Sequence, residues 1–553
     1  MWLIDTVNHR LVEVDGPKAE RYAILSHTWV RGEEVSFQDM QSPAVAEQKP
    51  GWAKIIQTCR LAQEQDPPIH YAWVDTCCID KTSSAELSEA INSMFQWYQL
   101  SAVCFVYLAD FNASGPVREH QLRFCRWFGR GWTLQELIAP TSIEFYDSSW
   151  RCFADKASLS ETLSSITRID LEVLADSGQL PFVPVARRMS WAATRETTRI
   201  EDLAYCLFGI FDVYLPLIYG EGSRSFIRLQ EAIAQNNPDL SLFAWTSPAD
   251  TQPYRGIFAL RPREFEKCST IKNTVSPMDP PLGYSLGNNG IQIQAGLHLA
   301  LSREGEHDYL MDLKCVDLES QQSDGAHGSV FIRLVKSSRG YARHCFTRPI
   351  VVSRTGLRDP EQTSISIPKF LDAVTLGALR ASARGRLFIT IVNETLPQAS
   401  ATSHAPRHLW NPHGAYFITE NYDGFTASLL LSWRRFRQMI DIGIGQESCP
   451  RETEPRRPVS PPSFISAQSS TAISPWVRLR IAGGTDETLD PSRAVQCLFQ
   501  KSTGGDPDVW LTVSARTRGA RNSAQEAYEV LIRVTAGSRP SIQSRRLSSS
   551  DPT

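Results

Sequence analysis

Residues 71–108 read YAWVDTCCIDKTSSAELSEAINSMFQWYQLSAVCFVYL. Tyr71–Asp75 is a short apolar run that ends on a carboxylate, and Val103–Leu108 is a continuous run of strand formers. Between them, Leu87, Ile91, Met94, Phe95 and Tyr98 recur at the spacing that lines one face of a helix over Glu86–Leu100. A strand, a helix and a strand in that order predict a parallel βαβ unit with a right-handed crossover.

The alternation continues on both sides. Tyr22–Ser26 (YAILS) suits a buried strand, and Trp52–Gln65 has helical spacing through Ile55, Ile56, Cys59 and Ala62 until Pro67 and Pro68 break it. Leu122–Ile138 reads as helical in part, with a break at Gly129 and Gly131 and a stop at Pro140. Ile143–Tyr146 (IEFY) is a fourth strand. Residues 1–150 therefore predict an α/β domain, a mostly parallel sheet covered by helices on both faces.

Residues 151–246 predict a helical extension. Leu159–Thr167, Thr198–Phe211 and Ser223–Asn236 are its helical segments, the last with Phe226, Leu229 and Ile233 on one face. From Pro253 the texture changes to short alternating runs: Gly290–Gln294, Tyr309–Leu313, Val330–Val335, Arg386–Val392, Tyr416–Glu420 and Ser428–Ser432. Asn288-Asn289-Gly290 signals a tight turn before the first of these. Residues 253–446 thus predict a mostly antiparallel, sandwich-like β domain. Residues 447–475, rich in Ser, Pro and charge, read as a disordered linker or loop. Residues 476–537 resume strand character and continue the same domain, and 538–553 read as a disordered tail.

The composition limits what the chain can be. At ~100–200 residues per domain, 553 residues allow about three domains. The 42% hydrophobic and 21% charged content excludes a wholly disordered or fibrous protein. Lys and Arg number 57 against 60 Asp and Glu, a net charge of -3, which gives no electrostatic case for nucleic acid or an anionic membrane. The opening MWLIDTVNHRLVEVDG carries charges where a signal peptide needs an apolar core. Leu203–Tyr219 is the longest apolar stretch, and Asp212 and Pro216 interrupt it short of the ~20 residues of a spanning helix. It reads as a buried helix pair, or a helix and loop. The 12 scattered cysteines, with no secretory signal, read as reduced thiols in a cytoplasmic protein.

In an open parallel sheet, ligands bind beyond the carboxyl ends of the strands. The first strand ends in Ser26-His27-Thr28-Trp29, the second in Asp75 through Lys81, and the third in Asp110. The helix after the third strand carries Arg130-Gly131-Trp132-Thr133-Leu134-Gln135-Glu136, so its first turn falls at the same edge, with Glu136 about one turn further in.

Three blocks, YAILSHTW (22–29), YAWVDTCCIDK (71–81) and GRGWTLQEL (129–137), resemble the fungal heterokaryon-incompatibility (HET) domain in its own order and spacing. RMSWAATRETTRIEDLAYCLFGIFDVYLPLIYGEG (188–222) resembles the segment that follows it in many members. The resemblance covers about residues 1–246, and more loosely the β region. One departure is Lys81, where the family often has Gln. The resemblance implies self/non-self recognition leading to growth arrest or cell death. The HET domain is in turn considered distantly similar to TIR domains, which share the flavodoxin-like βα order. Some TIR domains cleave NAD with a Glu on the helix after the third strand, in a Trp-x-x-x-Glu pattern similar to Trp132 through Glu136.

That resemblance assigns catalysis to Glu136 with NAD or NADP as substrate, no bound cofactor and no metal. Around it, Ser26, Trp29, Asp75, Asp80, Arg130 and Trp132 are the candidate binding residues: Trp29 or Trp132 for stacking, Asp75 or Asp80 for ribose hydroxyls, Arg130 for pyrophosphate. Each has a plain alternative. Glu136 suits a solvated or salt-bridged helix face, and the tryptophans suit a core. Asp75 suits a turn cap. Arg130 suits a structural pair with Asp75, Asp80 or Asp110. No G-x-G-x-x-G follows the first strand and no P-loop is present, which excludes the hydride-transferring dinucleotide mode. Two other functions stay open: a signalling adaptor that self-associates or recruits a protein partner, and a thiol hydrolase using Cys77 or Cys78 with His27.

Overall fold

The computed structural model describes residues 1–113, 115, 119–247, 252, 254–274, 284–301, 307–321, 327–337, 340–345, 350–352, 361–380, 386–393, 400–405, 410–411, 416–418, 425–433, 436–445, 474–480, 487–488, 495–500, 509–519 and 526–536. The linker expected at 447–475 lies outside these residues up to 473, as does the tail expected at 538–553.

The N-terminal part is built on a seven-stranded sheet. Its strands are β1 (Trp2–Asp5), β2 (Leu11–Glu13), β3 (Tyr22–His27), β4 (Tyr71–Trp73), β5 (Val103–Tyr107), β6 (Ile143–Tyr146) and β7 (Cys152–Asp155), in the spatial order β2-β1-β4-β3-β5-β6-β7. β4, β3, β5 and β6 pair in parallel. All six residues of β3 are buried, as befits a strand covered on both faces. The expectation of a mostly parallel sheet needs a correction: it is mixed. β1 and β2 form an antiparallel hairpin against β4, and β7 turns back on β6. Four-residue strands beside charged turns carry too little periodicity to be read as strands.

The connecting helices follow the apolar spacing. α1 (Trp52–Gln63) buries Ile55, Cys59, Leu61 and Ala62, and α2 (Ser84–Leu100) buries Ala90, Ile91, Met94, Trp97 and Tyr98. Ser83 caps α2 by accepting the Glu86 backbone N–H. The α2 face is tied to β3: Tyr98 Oη donates to the Leu25 carbonyl at 3.1 Å, and Tyr22 Oη donates to the Trp97 carbonyl at 2.6 Å. The broken helix expected over 122–138 divides as anticipated at Gly129 and Gly131. A 3-10 turn at Arg126–Gly129 precedes α3 (Thr133–Ile138), which is buried over its whole length.

Gly131 sits where a Cβ would meet Thr197 Cγ2 at 2.6 Å and Cys206 Sγ at 3.1 Å. That close approach lets the 129–131 backbone dock on Glu196, with the Gly131 N–H to its carbonyl and its N–H to the Gly129 carbonyl, both at 2.8 Å. The helical extension is thereby fastened to the entrance of α3. Its apolar stretch forms two short buried helices, Asp202–Tyr205 and Phe208–Phe211, and then a loop. Among the described residues no helix is long and apolar enough to cross a membrane. Gly220 and Gly222 take positive φ and turn the chain into α4 (Arg224–Asn236).

Beyond residue 253 the described residues form sheets of nine, six and five strands. Among the described strands of this region pairing is antiparallel except between Arg386–Asn393 and Glu526–Ala536, which run in parallel. The hairpin expected at Asn288-Asn289 closes between Gly287 and Gly290. The nine-stranded sheet is anchored to the helical extension through Arg343, whose guanidinium donates to the Phe243 and Trp245 carbonyls and stacks 3.6 Å from the Trp245 ring centre.

Candidate active site

The parallel strands end at a cavity of about 880 Å³. Such a volume falls within the ~300–1,000 Å³ of small-molecule sites. His27 and Trp29 enter it from the end of β3, Asp75 from the end of β4, and Leu87, Ile91 and Met94 from α2. Arg130, Trp132 and Glu136 enter from the approach to α3, and Arg199, Asp202 and Tyr219 from the helical extension.

Glu136 is deeply set, 5% exposed on a helix with no exposed face. It is neither solvated nor salt-bridged, the reading an isolated helix would suggest. Its carboxylate accepts the Ser26 hydroxyl, and Ser26 Oγ in turn accepts the Trp127 indole N–H at 2.7 Å. Burial, and then the nearby Asp75 charge, push the Glu136 carboxyl up to about 8, against the Ser26 and Tyr98 hydroxyls and the Arg130 charge. A carboxyl so placed keeps its proton at neutral pH and gains from any positive charge that enters the cavity.

Asp75 is held differently. It accepts the Trp29 indole N–H at 3.1 and 3.3 Å, and His27 Nε2 lies 3.3 Å from it. On the far side of the imidazole, Lys54 Nζ is 3.2 Å from His27 Nδ1 and 2.5 Å from a Glu34 carboxylate oxygen. An ammonium at Nδ1 requires that nitrogen to accept, so the ring proton sits on Nε2, facing Asp75. Burial raises the Asp75 carboxyl, but the hydrogen bond from His27, the Lys81 charge and the Trp29 N–H outweigh it and hold it below the usual carboxylate range. The cavity thus carries two carboxyl groups whose surroundings separate them, one protonated and one ionised.

The candidate residues read from the sequence are brought together with one exception. Ser26 lies behind Glu136, while Trp29, Asp75, Arg130 and Trp132 line the cavity. Trp29 is 37% exposed at the rim and Trp132 is half-buried, so neither belongs to the sealed core. Asp80 does not line the cavity: its carboxylate accepts from Gln38 Nε2 and the Thr82 hydroxyl, both at 2.6 Å, and closes the loop ahead of α2. Asp110 accepts the Arg126 backbone N–H at 2.8 Å. Arg130 approaches Glu136 and the Trp29 ring, 6.0 Å from its centre.

A thiol nucleophile finds no support in this geometry. Cys77 and Cys78 are buried, and burial pushes the Cys78 thiol well above its ordinary value. His27 faces Asp75 and Lys54. Among the described residues no group of three or more His, Cys, Asp or Glu side chains is arranged to hold a metal ion.

Sequence reasoning missed the wall supplied by the helical extension. Tyr219 Oη donates to Asp202 at 3.1 Å, and Arg199 lies 4.2 Å over the Tyr219 ring. The polar run ahead of the 203–219 apolar stretch, TRIED at 198–202, is the one local signal for it. Lys54 and Glu34 were missed as well, since nothing in a charged helix residue signals a contact 27 positions away with His27.

Residues 22–124 match the family described as heterokaryon incompatibility protein (HET), and residues 224–257 match a domain of unknown function (DUF8212). A vegetative incompatibility protein of Podospora anserina, HET-E-1, is 47% identical over 239 residues. That match takes in 42% of this chain and 17% of the relative, so the chain spans less than a fifth of that protein's length. No solved structure matches the chain.

Proposed function

We propose that this chain, whose residues 22–124 match the heterokaryon-incompatibility (HET) family, acts in heterokaryon incompatibility by hydrolysing the nicotinamide–ribose bond of NAD or NADP, with Glu136 as the catalytic residue. The observation that carries this reading is the buried Glu136 carboxyl in a cavity at the carboxyl ends of parallel strands. Two features add support. The spacing of Trp132 and Glu136 on α3 resembles the Trp-x-x-x-Glu of NAD-cleaving TIR domains. The parallel strands run in the order second, first, third, fourth, which supports a flavodoxin-like reading.

The chemistry asks little of the protein. The bond from ribose C1′ to the pyridinium nitrogen breaks, and its electron pair leaves with nicotinamide, which departs neutral. Water adds to C1′ and releases one proton, giving ADP-ribose or its 2′-phosphate. Positive charge grows at C1′ in the transition state, as in glycoside hydrolysis. A Glu136 carboxylate beneath that carbon stabilises it in a site of low dielectric. The substrate's own pyridinium charge, brought into the cavity, favours ionisation of Glu136. Arg130 offers charge-assisted hydrogen bonds to the pyrophosphate, and Trp132 offers an aromatic face.

An assembly or a protein partner belongs to this reading too. Phe124 and Phe182, each 81% exposed, are large aromatics outside the cavity. They are also what supports the alternative, a non-enzymatic adaptor that self-associates or recruits partners.

The test is expression of the full chain in fungal cells beside Glu136→Gln, with cellular NAD and growth followed together. The hydrolase reading expects NAD depletion and growth arrest from the wild type, and neither from the variant. Growth arrest from both with NAD unchanged favours the adaptor.

A further inference from the structure

Lys81 closes the loop that follows β4, and its ammonium lies in the cavity, 4.1 Å from the centre of the Trp29 ring. Trp29 is held from one edge, because its indole N–H donates to both oxygens of Asp75. The aromatic face and the carboxylate are therefore fixed relative to each other. Asp75 is itself braced by His27, which Lys54 and Glu34 hold from behind. A π face beside an anchored carboxylate is the arrangement that attracts an organic cation. The cation there now is a flexible side chain. Among the described residues the Lys81 ammonium makes no close ion pair, though its charge acts on Asp75, and the residue is exposed.

We propose that Trp29 and Asp75 form a recognition site for a flat organic cation, the N-alkylpyridinium end of an oxidised nicotinamide ligand, and that Lys81 holds this place until such a ligand displaces it. The inference rests on the cavity being a substrate site for NAD or NADP and deepens it by naming what recognises the reactive end. It also separates substrate from product. Breaking the bond to C1′ neutralises the pyridinium, so the released nicotinamide loses both the cation–π attraction and the pull of Asp75. The Lys81 ammonium then competes successfully for the ring.

The test is binding of 1-methylnicotinamide, permanently charged, and of nicotinamide, neutral, to the full chain by ligand-observed NMR. The wild type is compared with Lys81→Gln and Lys81→Arg. Lys81 is exposed at the cavity mouth, so neither substitution disturbs a packed core. The expected result is a preference for the cation that grows about threefold or more in Lys81→Gln and stays at the wild-type level in Lys81→Arg. Trp29→Leu removes the preference. Unchanged or weaker cation binding by Lys81→Gln overturns the proposal, as does equal tightening toward neutral nicotinamide. Binding needs no turnover, so this result and the fate of the hydrolase reading are read separately.

Discussion

Ser26 and Glu136, 110 residues apart in the chain, share a hydrogen bond at the floor of the cavity. One is the fifth residue of a buried strand and the other lies on a six-residue helix, so the contact exists only when β3 and α3 are both in place. It leaves a carboxyl group buried with hydroxyl partners and an ionised aspartate nearby. This is costly for an ionised glutamate and has consequences that can be measured.

The first is thermodynamic. The folded Glu136 holds its proton up to about 8, whereas the ordinary value is 4.5. Between those two values the folded state binds more protons than the unfolded one, so this group's contribution makes stability fall as pH rises. Glu136→Gln cannot ionise. It should match the wild type below about pH 4.5 and exceed it by about 2 kcal/mol or more at pH 8, measured by urea unfolding at several pH values. A variant less stable than the wild type at pH 8 would show that the carboxylate is structurally required.

The second concerns thiols. Among the ten cysteines whose side-chain burial is described, Cys152 is exposed, Cys345 is partly exposed, and the others are buried. A brief treatment of the folded protein with iodoacetamide should label Cys152 well ahead of Cys77 and Cys78, as read by peptide mass spectrometry. Activity should survive it. Rapid labelling of Cys77 or Cys78 with loss of function would reinstate the thiol reading.

The third concerns the join between α2 and the helical extension. A Cβ on Gly209 would lie 2.0 Å from Phe95 Cβ. Gly209→Ala gains up to ~1 kcal/mol of helix propensity, but the overlap with a neighbouring Cβ outweighs it. The expected net cost is about 2 kcal/mol, seen as a lowered unfolding midpoint. The cavity wall formed by Leu87, Ile91 and Met94 on α2 should loosen with it.

A fourth prediction tests the anchor of the nine-stranded sheet. Arg343→Leu strips the buried Phe243 and Trp245 carbonyls of their donors. The expected cost is about 2–4 kcal/mol, because buried acceptors are left without partners. Chemical denaturation of the full chain measures it, and a change below ~0.5 kcal/mol would contradict the described packing.

Much of the site was legible in the sequence because strand ends are legible. YAILS and YAWVD are short buried runs that each stop on polar residues, and the rule for parallel sheets then places Trp29 and Asp75 at one edge. Asp80 misled for the same reason: five residues past Asp75, it has left the sheet edge, and its own local bond to Thr82 decides where it points. Arg199, Asp202 and Tyr219 were hidden because they flank or end an apolar stretch, 203–219, that reads as buried helix rather than as the wall of a site. Its docking depends on Gly131 packing against Thr197, a tertiary contact with no local periodicity. The β1–β2 hairpin was missed because three- and four-residue strands give no periodic signal.

The most direct test of the account is nicotinamide release from NAD and NADP by the purified full-length chain, wild type beside Glu136→Gln, at high protein concentration and from pH 6 to pH 9. The account predicts release by the wild type with kcat/KM rising toward about pH 8, where free Glu136 loses its proton, and no release by the variant. Equal release from both, or none from a folded, self-associated wild type, would contradict it.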